Sequence, residues 1–152
     1  MSGTANRQTP RTNPRNLELA TVYRDRRNLP YEQALERLEE LAEVYTVFSV
    51  IGVVKDVSDG GLGLRFEGQQ IMADNLLHPG ERYILKLAFR ASDVPNELGA
   101  YARREENYVN LLVKGSCRWY QRSATLSAAG FEISGDTPSD VTSFLREHFQ
   151  LG

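Results

Sequence analysis

Two segments of this 152-residue chain carry side chains spaced for recognition chemistry. In the first, R-Q-T-P-R-T-N-P-R, Arg7, Arg11 and Arg15 recur four apart in a stretch with almost no apolar side chains. In the second, Asp56-Val57-Ser58-Asp59-Gly60-Gly61, a carboxylate, a hydroxyl and two glycines fall in one tight turn. Arginine's planar fork bonds bidentately to phosphate oxygens or to guanine O6 and N7, and it stacks on purine faces. Asp56 is an acceptor-only carboxylate. Ser58 carries a hydroxyl that can donate to a ligand oxygen or brace the turn. Gly60 and Gly61 allow positive φ and leave room for close approach. The bland alternative is a plain hairpin in which Asp56 and Ser58 bond their own backbone, beside a solvated tail. Taken together, the two segments suit a small anion that also presents purine edges.

Composition narrows the classes. A hydrophobic fraction of 41% suits one globular domain, and no apolar run reaches the roughly 18 residues of a membrane span. The N-terminal residues lack the apolar core of a secretory signal, which implies a cytoplasmic location. Cys117 is the single cysteine, so neither an internal disulfide nor a cysteine zinc cluster can form. With His78 and His148 as the only histidines, no spacing suggests a metal site. The net charge of −2 is uneven: residues 1–28 carry six arginines against Glu18 and Asp25, which leaves −6 for the rest. A basic arm on an acidic body favours a small, doubly charged ligand over a polyanion such as DNA.

The elements that must position these residues follow from periodicity. Residues 1–15 cannot bury enough surface to offset their ordering entropy and form an arm. Leu17, Leu19 and Thr21 alternate with polar or small residues, and Val22 and Tyr23 follow, which predicts a strand. Asn28 is a candidate cap with Pro30 in the first helical turn. Tyr31, Leu35, Leu38, Ala42 and Tyr45 then form a stripe that predicts a helix over 30–45. It is expected to pack on its own barrel. V-F-S-V-I-G-V-V-K and L-G-L-R-F flank Asp-Gly-Gly as strands of a hairpin. Further strands are predicted around Gln70–Met72, at Tyr83–Phe89, at Tyr108–Tyr120 and at Ala128–Ile133. A turn at His78-Pro79-Gly80-Glu81 and a partly helical stretch around Asn96–Arg104 intervene. Thr137 or Ser139 caps a final helix over about 138–149 with Val141, Phe144, Leu145 and Phe149 on one face. Many short strands, one terminal helix and no βαβ rhythm favour a small antiparallel barrel.

At this point the residues resemble the PilZ domain family. An R-x-x-x-R arm precedes a first strand, and a second strand ends in D-x-S-x-x-G, matched here by Asp56-Val57-Ser58-Asp59-Gly60-Gly61. Gly115–Trp119 followed by Ala129–Ile133 is similar to the family's final hairpin. The resemblance implies a mainly β, six-stranded antiparallel barrel with a C-terminal helix. It implies a bacterial receptor for cyclic di-GMP rather than an enzyme, acting in signal transduction through an unidentified protein partner, as monomer or homodimer. The ligand-binding residues it carries over are Arg11, Arg15, Asp56, Ser58, Gly60 and Gly61, with Arg7 accessory. Both Arg7/Arg11 and Arg11/Arg15 satisfy the arm pattern. Arg15 and Asp56 lie 41 positions apart; setting aside the 16-residue helix leaves 25, which suits two strands and a turn and favours Arg11 and Arg15. That helix, inserted between the first two strands, departs from the family pattern. A second reading is a PilZ-like adaptor that binds no nucleotide and serves pilus assembly or motility. Trp119 is expected in the core, Cys117 as a small buried hydrophobe, His78 in a turn, and Arg24, Arg26 and Arg27 as surface charges.

Overall fold

The computed structural model describes residues 19–38, 49–58 and 60–149. The arm at 1–15 and the second half of the expected 30–45 helix lie outside them. The elements in chain order are β1 (Leu19–Arg24), α1 (Tyr31–Glu36), β2 (Ser49–Val57), β3 (Gly61–Glu67), α2 (Gln70–Leu76), β4 (Arg82–Arg90), β5 (Ala102–Glu105), β6 (Tyr108–Arg122), β7 (Leu126–Ile133) and α3 (Ser139–Phe149). Two single 3₁₀ turns, Ala91–Asp93 and Asn96–Leu98, connect β4 to β5.

Antiparallel pairing runs β4–β1–β2–β3–β7–β6, and a β4–β6 ladder from Arg82↔Ser116 to Arg90↔Tyr108 closes the ring. This is the expected six-stranded antiparallel barrel, with a helix between its first two strands and a helix at its C-terminal end. β5 is an additional seventh strand, laid on the Tyr108–Leu111 end of β6. β6 can serve three partners because it is 15 residues long.

The barrel is held by its interior. Alternate residues point inward, and Val22, Val50, Leu64, Phe66, Tyr83, Leu85, Leu87, Leu111 and Ala129 are fully buried there. Val141, Phe144 and Leu145 bring the apolar face of α3 into the same core, where Phe144 meets Phe89 edge-on at 5.2 Å. α1 packs on the outside of the wall instead. Tyr31, Ala34, Leu35 and Leu38 cover Ile84 of β4 and Leu112 of β6, and the Tyr31 hydroxyl donates to the Leu112 carbonyl at 2.6 Å. Burial pushes the Tyr31 phenol well above its ordinary value.

Four local expectations are corrected. In β1 the inward residues are Ala20 and Val22, while Leu19 is exposed, so the strand's phase is the reverse of the one its leucines suggest. Pro30, with extended ψ, stands one position before α1 as its cap residue, and Asn28 takes a left-handed φ of 50°. Gln70–Met72 opens a helix, not a strand. Ala73 and Leu76 are its buried face at a spacing of three, and Ile71 and Met72 are exposed. The Gln69 side-chain amide makes the bonds a strand would have made: it donates to the Ile51 carbonyl and accepts from the Ile51 N–H, at 2.8 and 3.0 Å. The stretch around Asn96–Arg104 is partly helical, as expected, in one 3₁₀ turn before β5. Finally, the Thr137 hydroxyl bonds the Lys114 backbone instead of capping α3, and Ser139 lies within the helix. The His78–Glu81 turn is as expected, with Gly80 at φ +93°.

Candidate functional site

The β2–β3 turn is closed by the Ser58 N–H, which donates to the Gly61 carbonyl at 3.0 Å. Just before it, the pairing of β2 with β3 shifts register between Val54 and Asp56. A matching shift occurs in β6 against β7, between Cys117 and Trp119. Each bulge inserts one extra residue and re-aims the side chains beside it. Between the two bulges runs a transverse row of four cross-strand partners: Asp56, Gly63, Gly130 and Trp119.

The adjoining row, Val57, Leu62, Phe131 and Cys117, points into the barrel, each no more than 7% exposed. The Asp56 row therefore faces outward. Its two middle members have no side chain, and the end members lean over them. A Cβ on Gly63 would lie 2.6 Å from Asp56 Oδ1, and one on Gly130 would fall on the Trp119 indole nitrogen. Both glycines exist for close approach. The result is a shallow groove of about 160 Å³ with a carboxylate at one end and an indole at the other. Ser58, Gly61, Leu62, Arg118 and Phe131 complete its lining.

Trp119 is thus a groove wall and not a core residue; it is 41% exposed. The bulge explains this. It turns Arg118 and Trp119, consecutive residues, both to the outside, whereas regular alternation would bury one of them. Beneath them Cys117 is buried, as expected of a small hydrophobe. Desolvation pushes its thiol up to about 11, only partly offset by its contact with the Trp119 carbonyl.

Among the described residues no hydrogen bond or ion pair engages the Asp56 carboxylate, so its acceptor capacity faces the groove. Among the described residues that line the groove Arg118 is the one cation, and its Nη1 donates to Glu132 Oε1 at 2.8 Å. Gly61 packs closely, a Cβ there lying 3.1 Å from the Phe131 carbonyl and 3.3 Å from Ser58 Oγ, and its φ is not positive. Gly60 is not part of the lining; its carbonyl accepts from the Ile133 N–H at 2.8 Å. Arg7, Arg11 and Arg15 lie outside the described residues.

The direction of β1 bears on that arm. Leu19 pairs with Val53, three positions before Asp56, and β1 runs antiparallel to β2. The chain therefore enters β1 at the Asp56 end of β2. Arg15 stands four positions before Leu19, at most about 14 Å of extended chain.

Beyond the Arg118–Glu132 pair lies a second, polar cavity of about 230 Å³, lined among others by Asp25, Asn28, Arg82, Lys114 and Glu132. Lys114, with a 6% exposed side chain, sits 3.7 Å from Asp25 and 3.3 Å from Asp136, and donates to the Leu29 carbonyl. It ties the β1–α1 connection, the barrel wall and the approach to α3 together. Burial alone would raise the Asp136 carboxyl, but the Ser134 hydroxyl and the Lys114 charge outweigh it and hold the group below its ordinary value. Arg26 and Arg27 are exposed, as expected, whereas Arg24 is half-buried with its Nε shielded from solvent.

Sequence reasoning missed Trp119, Arg118, Gly63 and Gly130 as site residues. The available signal was a glycine inside each of two strands, G-L-G-L and A-A-G-F, which marks close approach of another group.

No family model matches the chain. No curated protein matches it. Among solved structures, it is similar to a proposed flavin reductase with a split barrel domain from Shewanella frigidimarina NCIMB 400, with 10% identity and a TM-score of 0.37. The match covers 78% of this chain and 65% of that one. Likeness at that level says nothing about the groove. Among the described residues no helix is long and apolar enough to cross a membrane, and no three His, Cys, Asp or Glu side chains are gathered as a metal site.

Proposed function

We propose that the protein is a PilZ-type receptor for cyclic di-GMP, acting through protein contacts and not through catalysis. The observation that carries this reading is the outward row Asp56–Gly63–Gly130–Trp119, in which an acceptor-only carboxylate and an exposed indole lie over two adjacent glycines. A guanine fits such a slot by chemistry. Its N1–H and N2–H₂ edge offers donors to Asp56, and its π-face stacks against Trp119. Ser58 is placed to donate to an oxygen of the same nucleotide.

The groove's size sets the division of labour. At about 160 Å³ it is smaller than the roughly 300–1,000 Å³ of typical small-molecule sites. It holds one base and an adjoining phosphate, so the rest of a cyclic dinucleotide needs a second surface. Arg11 and Arg15, entering beside Asp56, supply it in this reading, with Arg7 as an accessory. Charge-assisted hydrogen bonds contribute roughly 1.5–3 kcal/mol each. A few of them, less the ordering cost of the arm, correspond to micromolar affinity, about −8 kcal/mol. Arm closure then alters the surface offered to a protein partner, by shifting the population of closed states.

Isothermal titration with cyclic di-GMP tests this. Micromolar binding is expected, with loss on Asp56→Ala or Arg15→Ala while both variants keep the wild-type fold. No heat at tens of micromolar ligand would sink the receptor reading and leave the nucleotide-free adaptor. Normal binding by either variant would sink the site assignment.

A further inference from the structure

We propose that Arg118 is an additional ligand-binding residue that Glu132 occupies until the ligand arrives. The inference deepens the receptor reading above and rests on it. Arg118 owes its place to the β6 bulge, which puts its guanidinium on the outer face next to Trp119. A planar fork beside an aromatic wall suits a phosphate attached to a base that lies on that wall. Glu132 Oε1 now accepts from that fork at 2.8 Å. The two side chains are 61% and 59% exposed. An exposed pair of this kind is weak and screened by salt, so a bidentate phosphate displaces the carboxylate.

The carboxylate also has somewhere to go. Glu132 lines the polar cavity on its other side, where Arg82 and Lys114 form part of the wall. It exchanges one cation for others that line the same cavity. Glu132 therefore acts as an internal stand-in for the ligand's phosphate. It keeps Arg118 extended along the β6–β7 surface and lowers the groove's affinity for anions too weak to replace it.

Titrations of cyclic di-GMP into the wild-type chain, Arg118→Ala, Arg118→Lys, Glu132→Gln and the Arg118→Ala/Glu132→Gln double variant decide the matter. Glu67→Gln, which breaks the comparable exposed Arg65–Glu67 pair at 3.2 Å, controls for the loss of one negative charge. Removing the competing carboxylate is expected to tighten binding about two- to five-fold, the worth of one exposed ion pair. Arg118→Ala weakens binding at least tenfold, Arg118→Lys recovers part of the loss, and the Glu132 effect vanishes in the Arg118→Ala background. Wild-type affinity in Arg118→Ala, no change in Glu132→Gln, an equal gain in Glu67→Gln, or a Glu132 effect that persists without Arg118 would each overturn the inference. Each would leave the Asp56–Trp119 groove standing. Absence of binding by the wild-type chain would overturn both. All the substituted side chains are exposed, and thermal melts within a few degrees of wild type confirm that each variant folds.

Discussion

Asp56 and Trp119 stand at opposite ends of one transverse row of the barrel wall, and only two glycines, Gly63 and Gly130, lie between them. They are far apart in sequence and on strands that do not pair with each other. Two bulges and two missing side chains bring the carboxylate and the indole to face each other.

Filling that floor should disable the groove. In Gly130→Ala the new methyl group coincides with the Trp119 ring, so the indole must swing out. The cost is about 1–3 kcal/mol, typical of overpacking, readable as a lower urea midpoint. Trp119 is the only tryptophan, so its emission spectrum reports the displacement directly. Gly63→Ala meets the end of the Asp56 side chain, which is exposed and able to move. It should change stability by no more than about 0.5 kcal/mol but reduce nucleotide binding as strongly as Asp56→Ala. Unchanged emission in Gly130→Ala would show that the ring is not held over the glycine.

Lys114 is the ionic anchor of the wall. Lys114→Ala leaves Asp25, whose side chain is 2% exposed, buried without its cation and removes a partner of the Leu29 carbonyl. Breaking a buried pair costs about 3–5 kcal/mol. Denaturant unfolding should show that loss, and adding Asp25→Asn to Lys114→Ala should recover part of it by removing the stranded charge. Purely additive effects in this cycle would mean that the two side chains do not interact.

Asp136 makes the stability pH-dependent in a definite direction. Its carboxyl titrates lower in the folded chain than its ordinary value, because the Ser134 hydroxyl and Lys114 outweigh the opposing effect of burial. The folded state therefore binds this proton less readily than the unfolded chain. The stabilisation is fully present above the unfolded value, about 3.9, and is lost as pH falls through the lower folded value. Asp136→Asn should flatten this part of the acid limb in urea melts between about pH 5 and pH 3. A limb as steep as the wild type's would place the acid sensitivity elsewhere.

Cys117 should be inert in the native state. Its thiol is buried and pushed up to about 11, so little thiolate forms near pH 8. A thiol-reactive dye should label it only as fast as the chain opens, and fully in denaturant. Because the folded chain holds this proton more tightly, the group favours folding below its unfolded value of about 8.5. That contribution falls as pH rises above it. Rapid native-state labelling would show that the β6 bulge opens locally.

Much of the architecture was legible along the chain. Alternation in Tyr83–Phe89 and Tyr108–Tyr120, the Asp-Gly-Gly turn and the apolar face of 138–149 depend on near neighbours, and each predicted the observed element. Local pattern misled where a distant partner decided. Leu19 looked inward, yet the ladders to Val53 and Leu87 turn Ala20 and Val22 to the core. Gln70–Met72 looked like a strand, yet the Gln69 side chain took over the backbone bonds at Ile51 and freed the next residues to coil.

The candidate site divides the same way. The sequence by itself determined which groups are available: a carboxylate and a hydroxyl held in a closed turn, a cluster of arginines ahead of the first strand, and a single tryptophan. Those are properties of residue type and short spacing. Only the tertiary structure decided that Trp119 leaves the core, that Arg118 stands beside it against Glu132, and that Gly63 and Gly130 form the floor between Asp56 and the indole. Bulges and cross-strand register set these outcomes. A one-residue change of register turns a strand's side chains to its other face, and nothing within a single strand specifies it.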